Sequence, residues 1–178
     1  MTPTAISPAP STKTPTGSAP GWSGRAFTDQ DRDAVLALFT EPDFYFRTWE
    51  PDTRSEREIL ELVGDDTRML LADGQVVGLY ALESEGSAHG CHYVLHLRLR
   101  ASAPLLWWTS AYHEIVRAAR WRHEIVRLAI RFAEFDERGL RTAYALGLTN
   151  EGTLSGVVVH DGRRQGKVFF SQIWKPES

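Results

Sequence analysis

The stretch from residue 91 to residue 132 most constrains the fold, because an alternating segment leads directly into a helical one. In "CHYVLHLRLR" one face is apolar and the other mostly polar, which is typical of a half-buried strand. The apolar face carries Tyr93, Leu95, Leu97 and Leu99, and the other carries His92, Val94, His96, Arg98 and Arg100. Apolar residues then recur at helical spacing from Trp108 to Ala119, and every second residue from Val126 to Phe132. A strand, a helical crossover and a second strand predict a parallel pair.

The rest of the chain adds helices and hairpins around this unit. "DAVLALF", "EILELV" and "DERGLRTAYALGL" have helical spacing, and apolar runs flank "ADG" and "HDG" as in hairpins. The predicted order is strand, helix, helix, strand, strand, strand, helix, strand, helix, strand, strand. We therefore expect an α+β fold with a mixed sheet of about seven strands and about four helices. Only the fourth and fifth strands should be parallel, and the rest antiparallel.

Composition suggests one domain behind a tail. Residues 1–22 are mostly Pro, Ser, Thr, Ala and Gly, which predicts a disordered tail, followed by a single domain over residues 23–178. No apolar run approaches the roughly twenty residues of a membrane span, and no secretory signal is present. The sequence thus predicts a cytoplasmic protein without a membrane partner. Cys91 is the only cysteine, so an internal disulfide and a multi-cysteine zinc site are excluded.

The charges are distributed unevenly along the chain. Seven basic and fifteen acidic residues precede Arg98, whereas thirteen basic and eight acidic residues follow from there. One interpretation is that the excess charge lies on solvated faces. The other is that the basic half binds an anionic ligand, such as the phosphates of a nucleotide cofactor or of RNA.

The order of elements and the segment "FDERGLRTAYALGLTNEGTLSG" resemble the GCN5-related N-acetyltransferases (GNAT), especially the branch that acetylates ribosomal-protein N-termini. That family shows an Asn, later a Gly-Phe pair, and then Glu-Gly before the last hairpin. The matching positions here are Asp136, Gly147, Leu148, Glu151 and Gly152. The resemblance covers residues 23–175 and implies an N-acyltransferase that uses acetyl-CoA or another acyl-CoA. The implied acceptor is an amine of a small molecule or peptide.

The resemblance places the loop that holds the CoA pyrophosphate on "RASAPLLWWTSAYHEIV". Arg100 matches its first residue, but Ala103 and Leu105 occupy the glycine positions, with Pro104 between them. Side chains there keep a phosphate away from the backbone, and proline lacks an N–H. The start of the following helix still offers its dipole to an anion. The predicted cofactor-binding residues are Leu97, Arg98, Arg100, Ser102, Trp107, Trp108, Thr109 and Asp136.

Acyl transfer to an amine needs a base and an acid. His96 is the candidate base, because it lies on the polar strand face near the expected divergence of the fourth and fifth strands and titrates near neutrality; a buried structural histidine is the alternative. The tyrosine that serves the family as the acid would fall on Ala143, one residue before the candidate acid Tyr144. On a helix that shift turns the side chain by about 100°. An aromatic side chain packed on the sheet is the alternative interpretation of Tyr144. Glu83 and Glu85 are interpreted as solvated.

A metal site is not predicted, although His89, Cys91, His92 and His96 lie close in sequence. On a strand, His92 and His96 are about 13 Å apart, too far to share one zinc ion.

Aromatic residues suggest where an acceptor binds. In the family, the connection between the first two helices overhangs the acceptor site, and here it offers Phe44, Tyr45, Phe46 and Trp49. An alternative is a stacking surface for bases formed by Trp107, Trp108 and Trp121 with Arg117, Arg120 and Arg122. Core packing with a solvated arginine-rich helix face is the third interpretation.

Three functions therefore remain open. The first is an N-acyltransferase that takes an acyl-CoA through an atypical loop. The second is an amide-forming enzyme whose donor is an aminoacyl-tRNA or a carrier-protein thioester, which makes tRNA an alternative partner. The third is a non-catalytic binding module of the same fold. A homodimer is compatible with the sequence.

Overall fold

The computed structural model describes residues 19–48, 54–86 and 91–175. Its strands are β1 (Trp22–Ala26), β2 (Thr67–Ala72), β3 (Gln75–Ser84), β4 (His92–Leu99), β5 (Arg127–Ala133), β6 (Thr149–His160) and β7 (Arg163–Ile173). Its helices are α1 (Arg32–Phe39), α2 (Glu56–Leu62), α3 (Leu105–Arg122) and α4 (Glu137–Ala145), with one 3₁₀ turn (Asp29–Asp31) before α1. The predicted order of elements is confirmed. Residues 1–18 of the predicted tail lie outside the described residues.

The strands form one sheet in the order β1-β2-β3-β4-β5-β7-β6. Every neighbouring pair is antiparallel except β4 and β5, which are parallel as predicted. The tight turns at Asp73-Gly74 and Asp161-Gly162 have positive φ at both residues, as type I′ hairpin turns require.

The parallel pairing of β4 and β5 is short. It covers only His92 with Arg127, Tyr93 with Leu128, and Val94 with Ala129. Beyond these pairs the two strands diverge, while β4 stays paired to β3 as far as Leu99 and β5 stays paired to β7 as far as Ala133. We call the space between residues 95–99 and residues 130–133 the β4–β5 wedge.

A separate hydrophobic core covers each face of the sheet. Helices α3 and α4 enclose a core on one face, which includes Leu95, Leu97, Trp108 and Phe132. Helices α1 and α2 enclose the second core on the opposite face. The apolar face predicted for β4 therefore packs as expected against α3.

The other face of β4 is less open than its polar residues suggest. Val94 and Arg98 are buried, and the His96 side chain is only 19% exposed. Residues 41–48, which we call the overhanging segment, pass over this face, and the Phe46 ring lies 6.2 Å from the His96 ring. From Val94 to Arg98, the polar face is thus an interior surface.

Among the described residues, none of the helices is both long and apolar enough to cross a membrane.

Candidate active site

Tyr45 of the overhanging segment fills the outer part of the β4–β5 wedge. Its side chain is 3% exposed. Its hydroxyl donates to Asp136 Oδ2 at 2.7 Å and accepts the backbone N–H of Ala133 at 3.1 Å. Burial raises the pKa of Tyr45 well above its usual value, so the phenol stays protonated and keeps donating. Tyr45 therefore occupies a backbone N–H at the end of β5.

Arg98 holds Tyr45 in this position through a hydrogen bond and stacking. Its Nε donates to the Tyr45 carbonyl at 3.0 Å, and its Nη1 donates to the Leu97 carbonyl at 2.9 Å. The guanidinium carbon lies 3.8 Å from the centre of the Tyr45 ring, and Nη2 lies 3.4 Å from Asp136 Oδ2. Stacking and pairing of this kind suit the planar guanidinium. The predicted cofactor-binding residues Arg98 and Asp136 are thus both engaged within the chain, and Asp136 also caps α4 through Gly139 N.

The loop after β4 is occupied by the chain's own side chains. The Ala101 N–H donates to Glu41 Oε2 at 2.5 Å. Arg138 donates to the carbonyls of Ala101 and Ala103, the latter at 2.9 Å. Arg100 donates to the Val76 carbonyl at 2.6 Å. A carboxylate of the overhanging segment thus holds a backbone N–H of the predicted pyrophosphate loop.

The groove beside this loop does not fit a CoA pyrophosphate. Its volume is about 380 Å³. The charged residues that line it are Glu41, Asp43, Asp136, Glu137, Arg98 and Arg138. Four carboxylates outnumber two guanidinium groups, and both guanidinium groups already have partners in the chain. A pyrophosphate needs free N–H donors and positive charge, so these residues disfavour it.

The inner part of the wedge holds a small cavity beside His96. Its volume is about 20 Å³, which is room for one small group. The lining residues are Tyr45, Phe46, Arg47, Thr48, Val94, Leu95, His96, Leu97, Arg98 and Arg131. We call this space the inner cavity. It lies where the two parallel strands separate.

His96 is paired in a way that suits a base. Its Nε2 lies 3.1 Å from Glu83 Oε2. A carboxylate partner favours the tautomer with the proton on Nε2 and the lone pair on Nδ1. Burial lowers the pKa of His96; the Glu83 carboxylate opposes this shift, and the positive charges of Arg47 and Arg98 add to it. The imidazole is therefore neutral at neutral pH and able to accept a proton.

Two carboxylates interpreted as solvated are instead paired. Glu83 bonds to His96, and Glu85 bonds to Arg131, although each side chain stays at least half exposed. Strand β3 runs beside β4, which brings Glu83 next to His96 while its side chain stays largely solvated.

Tyr144 lies apart from the inner cavity. It is 61% exposed, its ring packs edge-on against Phe170 at 5.4 Å, and its hydroxyl accepts from Asn150 Nδ2 at 3.3 Å. The preceding Ala143 is fully buried. The one-residue offset thus turns Tyr144 to the outer surface of α4.

The remaining predicted residues lie mostly in packing positions. Trp108 is 3% exposed, and Trp107 packs edge-on against Trp22 at 5.9 Å. Thr109 donates to the Leu106 carbonyl. Phe44 and Phe46 belong to the core under α1 and α2, Leu97 to the core under α3, and Ser102 is exposed. Trp49 and His89 lie outside the described residues.

Sequence reasoning missed Glu41, Arg47 and Arg131. Arg131 interrupts the apolar run "RLAIRFA". A charge inside a central strand costs free energy unless it is paired, so this interruption could have identified Arg131 as a candidate site residue. Within the described residues, no group of three His, Cys, Asp or Glu side chains is arranged to hold a metal ion.

No protein-family model matches the chain, and no curated protein matches it. Solved structures do match in fold. A ribosomal-protein-alanine N-acetyltransferase from Brucella melitensis is 18% identical, with 85% of this chain and 99% of that one covered and a TM-score of 0.67. A GNAT-family acetyltransferase from Bacillus anthracis is 12% identical, with 88% and 96% covered and a TM-score of 0.71.

A third structure, yncA from Salmonella typhimurium, was solved with its cofactor acetyl-CoA. It is 14% identical, with 89% of this chain and 96% of that one covered and a TM-score of 0.67. The chain therefore has the fold of the GNAT acetyltransferases.

Proposed function

We propose that the protein is an N-acyltransferase that joins an activated acyl group to an amine in the β4–β5 wedge, with His96 as the base. The observation that carries the proposal is the position of His96, whose Nε2 lies 3.1 Å from Glu83 Oε2, beside a cavity at the point where β4 and β5 separate. Structures with this fold include enzymes that acetylate a ribosomal protein and spermidine, which supports an amine acceptor.

The residues provide the proton transfer that amide formation requires. An amine at neutral pH arrives as an ammonium ion and must lose a proton before its nitrogen can attack. The nitrogen then bonds to the carbonyl carbon, the bond from that carbon to the carrier breaks, and the carrier leaves with the electron pair. One amine proton goes through His96 to water and the second goes to the departing carrier atom. Glu83 stabilises the imidazolium formed on the way.

The proposed acyl donor differs from the acetyl-CoA of the structural neighbour that was solved with its cofactor. Glu41 accepts the Ala101 N–H in the loop on which the resemblance places the CoA pyrophosphate, and Tyr45 accepts the Ala133 N–H in the wedge. We therefore propose an acyl donor whose carrier does not bind through phosphates to residues 100–104. An acyl-CoA requires the overhanging segment to move first.

A donor carried by RNA is the second candidate, because α3 ends in an exposed aromatic and basic surface. Trp121 is 90% exposed, and Arg117, Arg120 and Arg122 lie beside it on α3. Arg120 lies 4.9 Å from the centre of the Trp174 ring. Exposed aromatic rings among arginines bind single-stranded RNA by stacking and charge. Trp107 and Trp108, in contrast, are packed against the chain.

The test is a donor panel with the full chain. Acetyl-CoA, an acetylated carrier protein and an aminoacyl-tRNA are each incubated with a mixture of amino acids, polyamines and short peptides, and amides are detected by mass spectrometry. We expect amide product that depends on the protein with at least one donor. If none of the three donors yields an amide, the proposal is wrong and the protein is a binding module. For the RNA-borne donor, Trp121→Ala should weaken tRNA binding without lowering the melting temperature.

A further inference from the structure

Two arginine side chains around the inner cavity each carry an unused donor. Arg47 Nε and Arg131 Nε are buried, and neither has a hydrogen-bond partner among the described residues. Both residues line the inner cavity together with His96. A buried charged N–H without an acceptor costs folding free energy, so such groups at a cavity point to an acceptor that arrives with a ligand.

The other ends of these guanidinium groups are fixed. Arg47 Nη2 bonds to Asp66, and Arg131 Nη2 bonds to Glu85. Asp66 and Glu85 are not among the residues that line the cavity. The two carboxylates thus hold the arginines in place, and the Nε–H groups stay available to an acceptor on a ligand.

Each arginine that lines the cavity pairs with a carboxylate that lies outside the lining. The described lining includes three arginines and His96 and has no Asp or Glu. The Nε–H of Arg98 already donates to the Tyr45 carbonyl at 3.0 Å, so the two Nε–H donors without an acceptor are those of Arg47 and Arg131. The volume of about 20 Å³ admits one small group and not a whole substrate. A small anion with oxygen acceptors meets all of these conditions, since arginine pairs well with carboxylates.

We propose that the inner cavity binds a carboxylate through Arg47 and Arg131, and that the acceptor is an amine with a carboxylate close to its nitrogen, as in an α-amino acid. The carboxylate site stands by itself, whereas the assignment to the acceptor rests on the proposed function. With the carboxylate on the arginines, the amine of the same molecule lies next to His96.

The binding part is tested on the full chain with sodium formate as the probe. Formate is titrated at constant ionic strength against sodium chloride, and the His96 ring signals are followed by NMR. We expect saturable shifts with formate and none with chloride. The pKa of His96 should rise on binding, because the anion offsets the charges of Arg47 and Arg98, which lower it, while Glu83 still faces the ring.

Arg131→Gln is the variant and Arg127→Gln is its matched control. Both arginines belong to β5, but Arg127 bonds to Glu151 and does not line the cavity. Arg131→Gln should weaken formate binding at least tenfold, and Arg127→Gln should leave it unchanged. Arg47→Gln provides a second test if Arg131→Gln does not fold. Equal effects of formate and chloride, or equal losses in the two β5 variants, would overturn the carboxylate site.

The acceptor part compares α-amino acids with their amides, which lack the carboxylate. We expect the KM of the amide to be at least tenfold higher at equal concentrations of neutral amine, and Arg131→Gln to remove this preference. Turnover without a preference would refute the acceptor assignment. Formate binding without turnover of any amine would refute the proposed function and leave the carboxylate site standing.

Discussion

The hydroxyl of Tyr45 donates to Asp136 Oδ2 at 2.7 Å, across 91 residues of sequence. This bond joins the segment after α1 to the start of α4 and closes the outer half of the gap between β4 and β5. The same hydroxyl accepts the Ala133 N–H. Among the described residues, the wedge, which is the place for chemistry in our proposal, therefore has its open part at the inner cavity beside His96.

Tyr45→Phe should destabilise the fold although the ring remains. The variant loses the bond to Asp136 and leaves the buried Ala133 N–H without a partner, which costs roughly 1–3 kcal/mol. Urea unfolding measures the change. Tyr144→Phe is the control, because its exposed hydroxyl accepts only a 3.3 Å bond from Asn150, and it should stay within about 0.5 kcal/mol of wild type. Equal effects would mean that Tyr45 does not hold the wedge closed.

Acetyl-CoA should not stabilise the wild-type protein. A ligand at about a hundred times its dissociation constant adds roughly 2.7 kcal/mol to the free energy of unfolding. We expect no such gain at millimolar acetyl-CoA, because Glu41 and Tyr45 hold the N–H groups of Ala101 and Ala133. Thermal unfolding with matched ionic strength measures it. A clear rise in melting temperature would show that the overhanging segment leaves the wedge readily.

Glu83→Gln should lower the pKa of His96 further. Burial already lowers this pKa from 6.5, and the Glu83 carboxylate is the main influence that raises it. Removal of that charge makes the imidazolium less stable. NMR titration of the ring carbon protons gives the pKa in both proteins. An unchanged or higher value in the variant would mean that Glu83 does not interact with His96 in solution.

Asp31 should contribute stability that is lost in acid. Both of its oxygens accept from Arg25 at 2.6 Å, and Thr28 donates to it at 2.8 Å and 2.9 Å. These bonds lower the pKa of Asp31 from 3.8, so its stabilisation is present above pH 3.8 and disappears as the pH falls through the folded-state pKa. Asp31→Asn should cost about 1 kcal/mol at neutral pH, since Arg25 is half exposed.

Unfolding at several pH values separates the charge from the packing at this position. The difference between wild type and Asp31→Asn should narrow as the pH falls below 3.8. A difference that stays constant would mean that the carboxylate charge does not matter there.

The sequence predicts the fold better than the site, because the patterns that indicate strands and helices are local, whereas the contacts that form the site join residues far apart in the sequence. The alternation of β4 and the helical spacing of α3 are local patterns, and both appear as predicted. Tyr45 joins Asp136, and Glu41 joins Ala101 sixty residues away. The segment that carries Tyr45 and Glu41 has no periodicity, so nothing local indicates which groups it meets.

Tyr144 and Trp108 illustrate a second limit. Each lies on a helix whose existence is predicted correctly, yet the direction of a single side chain depends on the helix rotation. Trp108 points into the core and Tyr144 points outward. Each residue turns a helix by about 100°, so an error of one residue decides between a buried and an exposed side chain. Sequence spacing alone does not fix the rotation of a helix that accurately.

The most direct test of the account is the rate of amide formation by His96→Gln, compared with wild type and with His92→Gln. His92 lies on the same strand and face but is exposed and does not line the inner cavity. With the donor and amine found in the panel, His96→Gln should lower kcat/KM by roughly 100-fold or more, while His92→Gln keeps the wild-type rate and all three proteins unfold at similar temperatures. Equal rates in the folded His96→Gln variant and the wild type would contradict a base at His96, which is the central claim of the account.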